Sequence, residues 1–202
     1  MNIRWACVLI LSSLTGCAMK STFDARMTGD GTYWVLTNPL IYEDPETKET
    51  FIVPRGFVTD LASVPRLFWS AFPPCGRYTP PAVVHDYLYW EQPAECKKDC
   101  ADNVLLHAMK EAGVPSVTRG TIYQGVVKFG GIAYERNAKA KAKGQIHNIP
   151  EDCMNFGPNE TWDVIEQRIK SGSCTPSKTV SNDPLTTPTP EPQRLLVAAC
   201  QK

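Results

Sequence analysis

The chain has no excess of charge of either sign. Its 21 Lys and Arg residues balance 21 Asp and Glu residues, so the formal net charge at pH 7 is zero. Proteins that bind nucleic acid through its phosphates carry a basic surface, and their overall charge usually reflects it. We therefore expect no nucleic-acid partner.

A long hydrophobic run is also missing. The apolar stretch over residues 5–14 follows Arg4 and is shorter than the roughly 20 residues that a membrane-spanning helix needs. It ends in Leu-Thr-Gly-Cys at residues 14–17, which resembles the lipobox of a bacterial lipoprotein signal peptide. An ordinary signal peptide with a chance cysteine is the alternative.

The lipobox resemblance implies that residues 1–17 are a signal peptide and that Cys17 becomes the lipid-bearing N-terminus. Several acyl chains on Cys17 would make membrane lipid its partner and hold it stably. Because Ala18, and not Asp, follows the cysteine, the resemblance implies an outer-membrane lipoprotein that faces the periplasm or the cell surface.

Histidine is scarce, and this excludes some hydrolase classes. The three histidines are His85, His107 and His147, and none precedes His85. HD phosphohydrolases need a histidine upstream of their His-Asp pair, so that class is disfavoured. Ser63 lacks the G-x-S-x-G elbow of serine hydrolases and fits a helix N-cap better. We expect His107 and His147 at the surface.

Cysteine usage agrees with export. After Cys7 and Cys17 are set aside, an even number remains, which in a periplasmic protein favours disulfides whose connectivity the sequence leaves open. A zinc site made of Cys96, Cys100 and His107 is the weaker alternative, because an oxidising compartment oxidises thiolates first. The disulfide candidates are Cys75, Cys96, Cys100, Cys153, Cys174 and Cys200.

Composition divides the chain beyond residue 17 into four parts. We expect a polar tether over residues 18–30, an α+β domain over 31–143, and an extension with a short helix over 144–174. The Pro- and Thr-rich tail, residues 175–202, lacks the apolar residues to pack and is expected to be disordered.

The predicted fold class is α+β: a small antiparallel β-sheet followed by a packed group of helices, stabilised by disulfides. β-branched and aromatic residues predict strands at residues 33–36, 40–42, 51–53 and 56–58, the middle two forming a hairpin. Apolar spacing and caps predict helices from Ser63, over 80–90, 98–112 and 117–134, and over 162–169.

His85 and Asp86 are adjacent within the otherwise apolar residues 80–90. Burial of a charge costs free energy unless the group has partners, so the pair needs either a catalytic role or stabilising contacts. Asp86 has Arg66, Arg77 and Lys97 as candidate partners. In a purely structural role, His85 would hydrogen-bond Asp102 and hold two helices together.

Three segments resemble a domain family of unknown function that is common in phage, prophage and bacterial proteins. They are residues 56–66 (GFVTDLASVPR), 76–78 (GRY) and 85–89 (HDYLY), and the resemblance covers roughly residues 30–135. It implies a domain assignment and brings no activity with it.

The run His-Asp-x-x-Tyr on one helix, followed by an aspartate on the next, is also similar to the core of secreted phospholipases A2. This resemblance implies His85 as general base, Asp86 as a Ca²⁺ ligand and Asp102 as the acid that orients the imidazole. It departs from that family before the helix, where only Gly76 stands in place of a glycine-rich calcium loop. Candidate supporting residues are Asp60, Ser63 and Tyr89.

Two functions from different classes follow. The first is a lipid-anchored His/Asp hydrolase of the cell envelope, whose substrate is a phospholipid ester or, second, a peptidoglycan amide. The other is a noncatalytic envelope lipoprotein that binds a protein partner which the sequence does not identify, for example to exclude a second phage.

Overall fold

Two small antiparallel sheets form the β-rich part of the computed structural model, which describes residues 18–61 and 76–174. The first has strand order β1-β2-β5 and the second is the hairpin β3-β4. The strands are β1 Ala25–Met27, β2 Trp34–Leu36, β3 Leu40–Glu43, β4 Thr50–Val53 and β5 Val58–Thr59.

The predicted hairpin is confirmed. Leu40 pairs with Val53 and both are buried, whereas the next pair, Ile41 and Ile52, points away from the core, as the period of two in a strand requires. The turn is organised by buried Asp44, whose carboxylate accepts the backbone N–H of Glu46 at 2.8 Å.

The predicted tether over residues 18–30 is wrong, because this segment is part of the fold. It supplies β1, in which Ala25 pairs with Leu36, and it buries Phe23 to 3% exposure. Met19 also bridges to Tyr42 on β3. The polar composition around Phe23 gave no sign that the segment packs, because only a few apolar side chains attach it to the core.

Within the described residues, four α-helices follow the sheets: α1 Thr79–Glu91, α2 Lys98–Glu111, α3 Ser116–Ala142 and α4 Trp162–Lys170. The prediction of a small antiparallel β structure followed by a helical group is confirmed. α3 continues past its predicted end at Tyr134, because the Ala- and Lys-rich residues 138–143 are strong helix formers. In the described ranges, no helix combines the length and hydropathy that crossing a membrane requires.

The residues of α1 pack at the centre of the main core. Val83, Val84 and Leu88 are buried there, and the helix contacts α2, α3 and strands of both sheets. As a result, α1 is held on several sides, and the side chains that it presents to its neighbours have fixed positions.

Residues 144–174 pack onto the domain and do not extend from it. Val58 donates its N–H to the His147 carbonyl, and the Ile149 N–H donates to the Gly56 carbonyl at 2.8 Å. Gly56 has φ +85°, and a Cβ there would collide with the Ile149 carbonyl oxygen. Buried Ile165 of α4 completes a second core around Val58.

Among the cysteines that the structure describes, two pairs are joined as disulfides. Cys96 pairs with Cys100 at a Cα–Cα distance of 5.1 Å, and Cys153 pairs with Cys174 at 4.8 Å. The zinc alternative is wrong, because its two thiols form the first of these bonds while His107 contacts carboxylates of the β3-β4 turn. The predicted lipid-bearing Cys17, the candidates Cys75 and Cys200, the helix from Ser63 and the tail 175–202 lie outside the described residues.

Candidate active site

His85 and Asp102 meet across the contact between α1 and α2. His85 Nε2 lies 3.0 Å from Asp102 Oδ1, and the two residues are only 2% and 1% exposed. The two side chains predicted to pair are therefore in direct contact inside the protein.

Asp102 accepts two further hydrogen bonds. The Tyr89 hydroxyl donates to Oδ1 at 2.6 Å, and Lys98 Nζ donates to Oδ2 at 2.6 Å. Tyr89 lies one turn after His85 on α1, and Lys98 one turn before Asp102 on α2, so helical spacing alone aligns the donors. Both carboxylate oxygens are thus satisfied.

These contacts set the protonation of the pair. Burial lowers the pKa of His85 below its ordinary value of 6.5, although Asp102 acts in the opposite direction. Burial by itself would raise the pKa of Asp102, but hydrogen bonds from His85, Lys98 and Tyr89 outweigh it and the net shift is downward. Near neutral pH the pair is therefore a neutral imidazole beside a carboxylate. An Nε2–H that donates to Asp102 makes Nδ1 the ring's acceptor.

Asp86 contacts Thr59 on β5, and no basic side chain among the described residues pairs with it. Thr59 Oγ1 donates to Asp86 Oδ2, and the same hydroxyl oxygen accepts the Leu61 N–H at 3.0 Å. Burial raises the pKa of Asp86 well above its ordinary value of 3.8, and nearby Asp60 raises it further, whereas the Thr59 hydrogen bond opposes both. Asp86 therefore favours its neutral form.

The structure does not place the predicted basic partners on Asp86. Arg77 Nη1 instead approaches the carbonyl of Gly113. Lys97 is the N-cap residue of α2, and Arg66 lies outside the described residues. Thr59 was not predicted as the partner of Asp86, because a strand as short as β5 gives no sequence pattern that indicates which side chain faces α1.

A cleft of about 320 Å³ reaches His85 and Asp86, whereas Asp102 is not among the described residues that line it. Apolar side chains make most of its wall, and α3 supplies one complete side through residues 125–137. The polar residues that line it are Thr59, Asp60, His85, Asp86, Tyr89, Arg136, Asn137 and His147. Asp60 and Tyr89, two of the three predicted supporting residues, are thus at the site, and Ser63 lies outside the described residues.

His147 is a site residue that was expected at the surface. Its ring stacks on Trp90 with centroids 4.0 Å apart, and burial lowers its pKa. The positive charge of Arg136, which lines the same cleft, lowers the pKa of His147 further. His147 belongs to an irregular segment, where no periodicity predicts the direction of a side chain. Lys98, by contrast, was detectable from its four-residue spacing to Asp102.

The described residues do not by themselves build a calcium site. Calcium usually takes about 6–8 oxygen ligands, and the acidic side chains in the cleft are Asp60 and Asp86 alone among the residues described. The Gly76 carbonyl, at the position of the missing calcium loop, accepts the Thr79 N–H. Calcium binding therefore stays a prediction.

A different part of the described structure brings three metal-type ligand atoms together. These belong to Asp152, Cys153 and Cys174, whose ligand atoms lie within 4.8 Å of one another. Two of the three are the sulfurs of a disulfide, which are not thiolate ligands. This cluster is therefore a cross-link beside an exposed acid.

Comparison with protein families places this site in a domain without an assigned activity. Residues 34–126 match the model of a family described as protein of unknown function (DUF1353). The predicted resemblance to a domain of unknown function is therefore confirmed for this stretch of the chain. It contains His85, Asp86 and Asp102, whereas Arg136 and His147 lie beyond it. Comparison with curated proteins and with solved structures gives no match.

Proposed function

We propose that this protein is a lipid-anchored envelope hydrolase in which His85 is the general base. The observation that carries the proposal is that His85 lines a cleft while its ring contacts the buried Asp102 carboxylate. A neutral imidazole oriented by a carboxylate is the arrangement that accepts a proton near neutral pH. Asp102, fixed by Tyr89 and Lys98, holds the ring and stabilises the imidazolium that forms.

The reaction uses one water molecule and returns the proton. The His85 imidazole accepts a proton from water as the water oxygen bonds to the acyl carbon of an ester. The carbonyl π electrons move to its oxygen, and their return expels the alcohol oxygen. The imidazolium then donates its proton to that leaving oxygen. The products are a carboxylic acid and an alcohol, and His85 is neutral again.

An acyl ester of a phospholipid suits the cleft better than a peptidoglycan amide. The wall includes Phe57, Trp90 and Val126, which offer an apolar surface to an acyl chain. Arg136 lies at the same cleft and fits a phosphate group. A lipid anchor at Cys17, as its sequence context predicts, would place the protein beside this substrate in the outer membrane.

A turnover assay tests the proposal. The purified full chain is given phosphatidylglycerol vesicles or peptidoglycan, with and without calcium, and released fatty acid or amine is measured. His85→Ala should abolish release while the fold, checked by circular dichroism, persists. The proposed function is contradicted if the parent chain releases neither product under any of these conditions.

One observation favours a second candidate, a noncatalytic envelope lipoprotein that binds a partner, as in superinfection exclusion by a prophage. Asp102 accepts hydrogen bonds from residues of both α1 and α2, and the same contacts would serve a structural clamp, in which Asp102 only holds the two helices together. A clamp predicts no turnover together with a large loss of stability in Asp102→Ala, because its partners would remain buried and unpaired. The hydrolase predicts turnover in the parent chain.

A further inference from the structure

We infer that one side of α3 is a docking surface for anionic phospholipid headgroups. This docking stripe consists of Phe129, Ile132, Arg136 and Lys139 on the helix, with Lys143 at its C-terminal cap. The inference goes beyond the proposed hydrolysis and does not depend on it, because a chain without turnover can still dock.

The docking stripe follows from helical geometry. Its residues are spaced by three or four positions, and at about 100° per residue they fall within a sector of about 80°. α3 is continuous from Ser116 to Ala142, so the sector is one unbroken line along the helix. The apolar residues occupy one end of this line and the basic residues occupy the other.

The apolar end of the stripe is exposed to solvent. Phe129 is 60% exposed and Ile132 is 76% exposed, although both are large hydrophobic side chains. They also line the cleft that reaches His85. Clustered exposed apolar side chains beside polar residues indicate an interaction surface. Here that surface forms the rim of the candidate active site.

The basic end of the stripe lies in a segment with a net positive charge, although the whole chain is neutral. Residues 128–143 contain five basic residues and one acidic residue. Lys141 already pairs with Glu91 at 2.6 Å. Arg136, Lys139 and Lys143 form no ion pair with an acidic side chain in the ranges that the structure describes.

This combination fits a bilayer surface in particular. A helix that lies at a membrane interface buries apolar side chains among the acyl chains and sets lysines and arginines against anionic headgroups. A nucleic acid would use the basic end only and would leave Phe129 and Ile132 in water. Docking through the stripe would also turn the mouth of the cleft toward the lipid.

Hydroxyl-radical footprinting of the full chain tests the inference, since it reports side-chain exposure residue by residue. Oxidation is compared in buffer, with phosphatidylcholine vesicles and with vesicles that contain phosphatidylglycerol. We expect the anionic vesicles alone to cause a loss of oxidation at Phe129 and Ile132. Val127, on the opposite side of α3, and Val164, on α4, are exposed internal controls that should stay reactive.

A charge-reversal variant carrying Arg136→Glu, Lys139→Glu and Lys143→Glu should lose the protection. High salt should weaken it, because the Debye length falls from about 10 Å at 0.1 M to about 3 Å at 1 M. A control variant changes the charge by the same amount away from the stripe, through Lys48→Glu, Lys110→Glu and Lys170→Glu. This control should keep the protection of Phe129 and Ile132 by anionic vesicles.

Three results would overturn the inference. Equal oxidation with and without anionic vesicles would show that the stripe stays in water. Equal protection by phosphatidylcholine would show that headgroup charge is not recognised. Protection that grows with protein concentration in plain buffer would show that a second copy of the chain covers the stripe. Loss of turnover in His85→Ala bears on none of these results, so hydrolysis and docking fail separately.

Discussion

Gly130 of α3 leaves the space that the Tyr89 hydroxyl occupies. A Cβ at position 130 would collide with the Tyr89 oxygen, the same atom that donates to Asp102 at 2.6 Å. The absence of a side chain on α3 therefore fixes the position of a tyrosine on α1 and, through it, the carboxylate that holds His85.

Gly130→Ala should destabilise the protein and lower turnover. Alanine favours helix by about 1 kcal/mol over glycine, but forcing Tyr89 aside costs roughly 1–3 kcal/mol, so the net effect on unfolding free energy is a loss. Gly120→Ala on the same helix is the matched control, because nothing lies within 4 Å of its Cβ. Chemical denaturation should show that Gly120→Ala is at least as stable as the parent. Equal stability of both variants would contradict the packing account.

The pH dependence of kcat/KM should reflect the lowered pKa of His85. The base is active when deprotonated, so kcat/KM should rise with pH through a midpoint below 6.5 and then level off. The stability that comes from keeping His85 neutral is full above pH 6.5 and is lost as the pH falls through the folded-state pKa.

A matched pair of variants separates the effects of His85 and His147. His147 also has a lowered pKa and contributes stability of the same sign. His147→Gln should therefore reduce the acid loss of stability while it keeps the kinetic midpoint, whereas His85→Gln should remove turnover itself. A kinetic midpoint above 6.5 would contradict the assignment of His85 as a base whose pKa is lowered by burial.

Asp86→Asn should raise the melting temperature at pH 8. The raised pKa means that Asp86 stabilises the fold below pH 3.8 and that this contribution is lost as the pH rises through its folded-state value. A neutral amide avoids that loss and still accepts from Thr59, which we expect to gain about 1 kcal/mol. Calcium should raise the melting temperature of the parent but not of Asp86→Asn if Asp86 binds it. A lower melting temperature for Asp86→Asn without calcium would contradict the assignment.

The two disulfides should differ in their contribution to stability. The Cys153–Cys174 bond closes a sequence separation of 21, compared with 4 for Cys96–Cys100. In the chain-entropy model these loops correspond to about 3 and about 2 kcal/mol. The double variant Cys153→Ser/Cys174→Ser should therefore unfold at lower denaturant than Cys96→Ser/Cys100→Ser. The reverse order would indicate that native contacts, and not loop closure, dominate.

The sequence predicted those parts of the fold and site that depend on local periodicity. Apolar spacing and caps predicted the two helices that carry His85 and Asp102, and their contact was predicted from the resemblance to phospholipases A2 and, in a structural role, from the burial of His85. The β3-β4 hairpin follows from strand-forming residues on both sides of a turn. What depended on contacts distant in sequence was missed. β1 pairs with β2, although the polar composition of residues 18–30 predicted a tether. His147 lines the cleft from an irregular segment, where no sequence pattern predicts the direction of a side chain.

The most direct measurement is the release of fatty acid from phosphatidylglycerol vesicles by the full chain and by His85→Gln. If His85 is the base, the parent should turn over and the variant should lose roughly 10²–10⁴-fold in kcat, with vesicle binding unchanged. Turnover that survives in a folded His85→Gln chain, or a parent that releases no fatty acid, would contradict the central claim.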